Sequence, residues 1–440
     1  MRNRLVATRS FCFWTFAFCL PIAAAGAVQD FDPTRAKAGG LRELVGQHLT
    51  LYTDLPSSPS VDELPQVFDA AVPQWARYFC VDEARLADWR MRGFLIVDKE
   101  RFRAVGAVPD SLPNFPHGYS AGFDLWLFDQ PSDYYRRHLL LHEGTHGFMN
   151  TVLGGCGASW YMEGVAEFAG THRWADGKLQ LGVMPRSRDE VPYWGRIASI
   201  KADVAAGKVR RFGDLVNDSI RGFDDVGSYS WCWALATFLD GHPRYQARFR
   251  ELQKSVTEPQ FNAIARRLFA DDLSQLNEEW LIFVNELEYG ADVGRAAIHF
   301  QLGRTLDPAG TKIGVAVDRG WQSSGVRLEA GKTYRLRASG RYRIGSSIVD
   351  GVTKSWPCEA GGITLRYYRG RPLGELLTAV EPDELPPGEL PAMSKPTPIG
   401  LGAELKPTRS GTLYLRINES NADLADNSGA LTVEIMSMSR

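Results

Sequence analysis

The stretch LLLHEGTHGF, Leu139 to Phe148, carries His142, Glu143 and His146 in the order H-E-x-x-H. On a helix, residues four apart share a face, so the two imidazoles can grip one divalent cation while the glutamate beside them moves a proton. Two nitrogens are not enough. A catalytic zinc takes three protein ligands and keeps a fourth position for water, so another side chain must come from elsewhere in the chain.

Seventeen residues past His146, the segment SWYMEGVAEFAG places Glu163 and Glu167 four apart on a second expected helix. Glu163 facing the two histidines completes a His-His-Glu set. Glu167, one turn further on, is placed to accept the ring N–H of a ligand histidine, which would fix its tautomer and raise its basicity. The other common arrangement needs a glycine three and a histidine six residues after the second histidine. Met149 and Val152 stand there, so that pattern is absent. His172, beside Arg173, is a competing third ligand.

These two elements, His142-Glu143-Gly144-Thr145-His146 and Trp160-Tyr161-Met162-Glu163-Gly164-Val165-Ala166-Glu167, resemble the gluzincin metallopeptidases, and more closely the peptidase-MA-like bacterial proteins with a W-x-x-E-G-x-A-E element. The resemblance implies His142, His146 and Glu163 as zinc ligands, Glu143 as catalytic base and Glu167 as support behind a ligand. Many gluzincins place the third ligand about two residues later, so the connection GFMNTVLGGCGAS is slightly shorter here. The implied chemistry is hydrolysis: zinc lowers the pKa of a bound water, and Glu143 takes its proton and passes it to the leaving nitrogen. Resembling enzymes often carry a tyrosine that stabilises the oxyanion, and Tyr229 in GSYSWCW is the matching candidate, with a core aromatic as the plainer reading. Upstream, SAGFDLWLFD is either an edge strand that pairs with an extended peptide or an internal strand.

Near the end of the chain, INESNADLADNSG gathers Glu419, Asp423, Asp426 and Asn427 between two expected strands. Short acidic loops of this kind supply calcium with oxygen ligands, and a polar hairpin loop is the alternative. WQSSGVRLEAGKTYRLRASGRYRIG, PLGELLTAV and INESNADLADNSGALTVEI look like the β-sandwich of PA-IL-like galactophilic lectins, which implies calcium at these four residues and contact with a sugar. Glu419 and Asp423 stand where that family usually has a shorter acid and a neutral residue.

The elements that must hold these residues are legible in part. The 440 residues suggest two domains, and 44% hydrophobic with 23% charged residues is an ordinary globular composition. HLTLYTDL and MRGFLIVDK read as strands and LPQVFDAAVPQWARYFCV as a helix; after Glu163 the pattern is mostly helical through LSQLNEEWLIFVNELEYG. From about Asp307 the chain becomes short β segments such as KIGVAVD, TYRLRASGRYRI and GTLYLRI, and EPDELPPGELPAMSKPTP reads as an exposed loop.

The start, MRNRLVATRSFCFWTFAFCLPIAAAGAVQD, has a basic head, an apolar run from Phe11 to Leu20 and an A-x-A site ending at Ala27. It reads as a signal peptide, and an uncleaved anchor would need a longer apolar run. Export would leave Cys80, Cys156, Cys232 and Cys358, for which no bridge is assigned and no C-x-x-C spacing exists. A net charge of −2 and no basic-aromatic run disfavour nucleic acid as a partner.

The expectation is therefore an exported protein with a signal peptide (1–27), an α+β zincin-like peptidase domain with a helical C-terminal lobe (28–290), a linker (291–306) and an all-β jelly-roll-like sandwich (307–440). Zinc is the expected cofactor, with calcium in the last module. A peptide or protein is the expected substrate, and the sandwich holds a glycan or cell surface. The alternative is a surface-binding protein whose peptidase-like domain has no turnover.

Overall fold

The computed structural model of the protein describes residues 31–217, 226–349, 352–386 and 388–438. The signal-peptide reading of residues 1–27 lies outside them. Among the described residues no helix is long and apolar enough to cross a membrane.

The first half of the chain is a mixed sheet backed by helices. Strands β1 (Arg42–Val45), β2 (Leu49–Thr53), β3 (Met91–Ile96), β4 (Gly118–Ala121) and β5 (Asp124–Phe128) lie in the order β1-β2-β3-β5-β4. The β2, β3 and β5 strands are parallel, and the two edge strands run antiparallel to their neighbours. SAGFDLWLFD is thus two strands and a turn: its apolar part, β5, is internal, and the edge belongs to β4. The buried Leu125, Trp126 and Leu127 explain why β5 reads as a continuous apolar run.

Helix α1 (Leu64–Tyr78) buries Leu64, Val67, Phe68, Ala71, Val72 and Trp75, spaced three and four apart. Helix α2 (Asp133–Phe148) starts where the Ser132 hydroxyl accepts the Tyr135 N–H at 3.1 Å. From His138 onward it is buried on every side. Two glycines make this possible: a Cβ at Gly144 would sit 2.7 Å from Phe68 and 2.8 Å from Trp75, and one at Gly147 would sit 2.5 Å from Met91. Helix α2 can therefore lie directly between α1 and the sheet.

Beyond a single π turn, Gly154 and Gly157 take left-handed φ angles of 82° and 73° and reverse the chain into helix α3 (Ser159–Gly170). Gly164 faces the Cys232 carbonyl, where a Cβ would stand 2.9 Å away, so α3 packs closely on α5 (Val226–Gly241). Between them come a small hairpin, His172–Ala175 with Lys178–Leu181, and helix α4 (Arg196–Ala205). Strands thus recur after the H-E-x-x-H helix. Helix α6 (Leu273–Glu286) completes the lobe.

The C-terminal part holds two larger sheets. One runs Thr397–Pro398, Leu376–Pro382, Gly411–Ile417, Gln322–Leu328 and Arg304–Thr305; the other runs Gly402–Leu405, Tyr334–Ser339, Ala430–Ser437 and Thr311–Ala316. Leu413 and Leu415 of the first meet Leu336 and Val433 of the second in one buried cluster. The described residues are thus mixed α plus β with several sheets and no closed barrel.

A second buried cluster joins the halves: Ile282, Ile298, Trp321, Leu377, Ala379, Met393 and Tyr414. The stretch 291–306, read as a linker, is packed here, with Val293 and Ile298 buried and the Ile298 N–H donating to Glu279 at 2.8 Å. EPDELPPGELPAMSKPTP is not simply an exposed loop, because Met393 from its middle is fully buried in this seam. The four cysteines Cys80, Cys156, Cys232 and Cys358 are unbridged.

Candidate metal centre

Helices α2 and α3 bring the expected residues together. His142 Nε2 and His146 Nε2 lie 3.1 Å apart, and Glu163 Oε2 stands 3.3 Å from each. All three residues are buried. Among the described residues Glu163 Oε2 has no hydrogen-bond donor, a costly state for a buried carboxylate oxygen. Ligand atoms about 2.0–2.2 Å from a tetrahedral ion sit on the order of 3.3–3.5 Å apart, so the near-equilateral triangle and the orphaned oxygen both fit a small divalent cation. These residues could hold a metal ion. Burial works against ionised Glu163, but the facing His146 and His142 outweigh it and hold the carboxyl down at about 2.

Glu143 points to the sheet side. A Cβ at Gly118 of β4 would come within 2.5 Å of its Oε1, so the edge strand lies directly against the proposed base. Burial pushes the Glu143 carboxyl up to about 8; His146 lowers it and the nearby Glu163 and Glu167 raise it further. Tyr229 on α5 flanks the same space, its ring centroid 6.3 Å from that of His142. Burial first, then Glu163, Glu143 and Glu167, raise its phenol well above the ordinary tyrosine range.

Glu167 is buried behind His142, but its geometry differs from the expectation. Its Oε1 is 3.6 Å from His142 Nδ1, outside hydrogen-bond reach. Both its oxygens are taken by Arg196 of α4: Nη2 donates to Oε1 at 2.8 Å and Nε to Oε2 at 3.0 Å. His138 Nε2 approaches Oε2 at 3.4 Å. Burial opposes ionisation of Glu167, yet Arg196 and then His138 hold its carboxyl well below the usual range. His138 and Arg196 were missed in the sequence. His138 had a signal, standing four residues before His142 on the same helical face; Arg196 had none.

His172 is not at this centre. Its Nδ1 lies 2.8 Å from the Gly170 carbonyl and its Nε2 accepts from Arg137 Nε at 3.3 Å, with its ring stacked on Tyr134. Burial drives its pKa down to about 3.

The acidic loop of the C-terminal part is folded inward. Glu419 and Asn427 are buried, and the Asn427 amide donates to Glu419 Oε2 and to the Val317 carbonyl. Burial first, with Asp423 and Asp426 adding to it, pushes Glu419 up to about 8. Among the described residues these four form no group close enough to share an ion. The neighbouring Ser420 donates to Glu288 at 2.7 Å and the Asp292 N–H donates to the Asn421 carbonyl at 3.0 Å, so one side of the loop is closed by the helical lobe.

No family model and no curated protein matches this chain. Among solved structures, one similar chain is the EclA N-terminal domain, a PllA-like lectin, at 21% identity and TM-score 0.21, covering 29% of this chain and 95% of that one. Another is IMPa from Pseudomonas aeruginosa in complex with an O-glycopeptide, at 12% identity and TM-score 0.17, covering 88% of this chain. The present chain spans 37% of that protein's length.

Proposed function

We propose that this protein is an exported zinc-dependent peptidase with a zincin-like catalytic domain and a β-sandwich that holds it at its place of work. The observation that carries the reading is the triangle of His142 Nε2, His146 Nε2 and Glu163 Oε2, with edges of 3.1 and 3.3 Å and Glu143 beside it against the outermost strand β4. Zinc, when bound, supplies an electrophile and lowers the pKa of a coordinated water.

The chain's own residues do the rest. Glu143, buried next to His142 and His146, would take the proton of the attacking water and pass it to the leaving nitrogen, the two halves of general acid–base work. β4 is the outermost strand of its sheet among the described residues and is the edge that an extended peptide would join, with Gly118 bringing that strand close against Glu143. Tyr229, its ring centre 6.3 Å from that of His142, is the candidate donor to the negative charge that develops on the substrate.

A Glu143→Gln variant tests the reading. It keeps the metal and loses about 10²- to 10⁴-fold in hydrolysis of a fluorogenic peptide library. Equal turnover in both proteins would rule out Glu143 as base, and no turnover in the metal-loaded wild type would favour the binding-protein alternative.

A further inference from the structure

Two hairpins stand apart from both sheets of the sandwich. Among the described residues strands β6 (Tyr342–Val349) and β7 (Val352–Cys358) form one two-stranded ladder and β8 (Ile363–Tyr368) and β9 (Arg371–Leu373) another, with Arg343 at the base of β6 also bridging Ser428. The base of the first is anchored in the sandwich core by Tyr342, Ile344 and Cys358, all buried. Beyond Ile344 the ladder continues through Ser346↔Ser355 to Val349↔Val352, a reach on the order of 13 Å at the usual rise per strand residue.

The side chains carried outward are not those of an ordinary solvated hairpin. Leu365 is 86% exposed, Tyr367 64%, Val352 58% and Trp356 39%. The Arg366 guanidinium lies 5.4 Å from the centre of the Trp356 ring, which ties the second hairpin to the first. Between 341 and 371 the sequence carries six Lys and Arg against two acids, in a chain whose net charge is −2. Arg341 pairs with Glu359, and Arg369 reaches Glu286 of α6. Arg343, Lys354 and Arg366 have no ion pair among the described residues.

Exposed aliphatic side chains at Val352 and Leu365, the exposed rings of Trp356 and Tyr367, and basic side chains that can extend past both form the pattern that partitions into a membrane interface: apolar groups enter the acyl boundary and cations meet anionic headgroups. A sugar site of comparable size would be concave, with amide and carboxylate partners. We propose that the paired hairpins dock this protein onto an anionic lipid surface. The hold would be rigid with respect to the metal centre's domain, because Tyr368 donates to Glu288 at 2.9 Å and Arg416 to Glu286 at 2.9 Å. This proposal does not rest on the peptidase reading.

The test is co-sedimentation of the chain from Val28 onward, which removes the apolar run Phe11–Leu20 that would itself bind lipid, with phosphatidylcholine vesicles with and without phosphatidylglycerol. Binding is expected to the mixed vesicles and to weaken with salt. A Lys354→Glu/Arg366→Glu variant should bind about fivefold more weakly per charge removed, and Leu365→Ser/Tyr367→Ser should lose retention at high salt. All four positions are at the surface, so the variants should keep the wild-type circular dichroism. No binding by the wild type, or equal binding by both variants, would overturn the proposal; the first result would leave a protein partner as the occupant.

Discussion

Arg196 grips Glu167 through both carboxylate oxygens, at 2.8 and 3.0 Å, in a position where both residues are almost wholly buried. Glu167 lies between His138 and His142, so a single carboxylate stands behind two imidazoles of the same helix. Arg196→Met would leave that carboxylate uncompensated, at about 3–5 kcal/mol of stability. It would also loosen His142, with a 10- to 100-fold loss of metal affinity as the approximate expectation. Urea unfolding and chelator competition measure the two effects separately. Unchanged metal affinity in a folded variant would show that Arg196 supports the fold alone.

The approach of β4 to Glu143 gives a sharper prediction. A Gly118→Ala methyl would begin 2.5 Å from Glu143 Oε1, so either the strand or the carboxylate must shift. A displacement of about 1 Å at a catalytic group costs on the order of 100-fold in rate. Turnover should therefore fall by that order while metal content stays at the wild-type level. A variant with full activity would place the base elsewhere.

The seam between the halves should respond to pH. Burial pushes Glu381 up to about 7, and burial together with Glu381 pushes Glu278 to the same value, from an ordinary 4.5. Between pH 4.5 and 7 these carboxyls are protonated in the folded chain and ionised in the unfolded one, so the unfolded state binds fewer protons and stability falls as pH rises. Above about pH 7 both states are ionised and the contribution is flat. Glu381→Gln should remove about 1–3 kcal/mol of that fall relative to wild type. The check is urea unfolding of the two proteins at pH 5 and pH 7.5; parallel curves would contradict it.

The grouping of His142, His146 and Glu163 is legible because a helix converts spacing into direction. His142, His146 and Glu163 sit on two helices whose facing sides follow from the three- and four-residue repeat. Tyr229 was reached through resemblance and does lie beside His142. Arg196 was invisible, since its pairing with Glu167 joins α3 to α4 across 29 positions and no local pattern encodes it. The β4 edge was hidden within SAGFDLWLFD, where alternation marks strands but says nothing of which strand is outermost. The loop from Glu419 to Asn427 read as an open acidic site because its sequence is polar; in the fold, the helical lobe covers part of it and the amide of Asn427 occupies Glu419. Burial by a distant segment leaves no trace in local composition.

The measurement that bears most directly on the central claim is the zinc content of the purified Val28–Arg440 protein beside its Glu163→Ala variant, by elemental mass spectrometry. One zinc per chain in the wild type and a large loss in the variant is the expected result, because the variant removes the oxygen that sits 3.3 Å from both imidazole nitrogens. Equal zinc in the two proteins, or none in either, would contradict the metal centre assigned to these three residues.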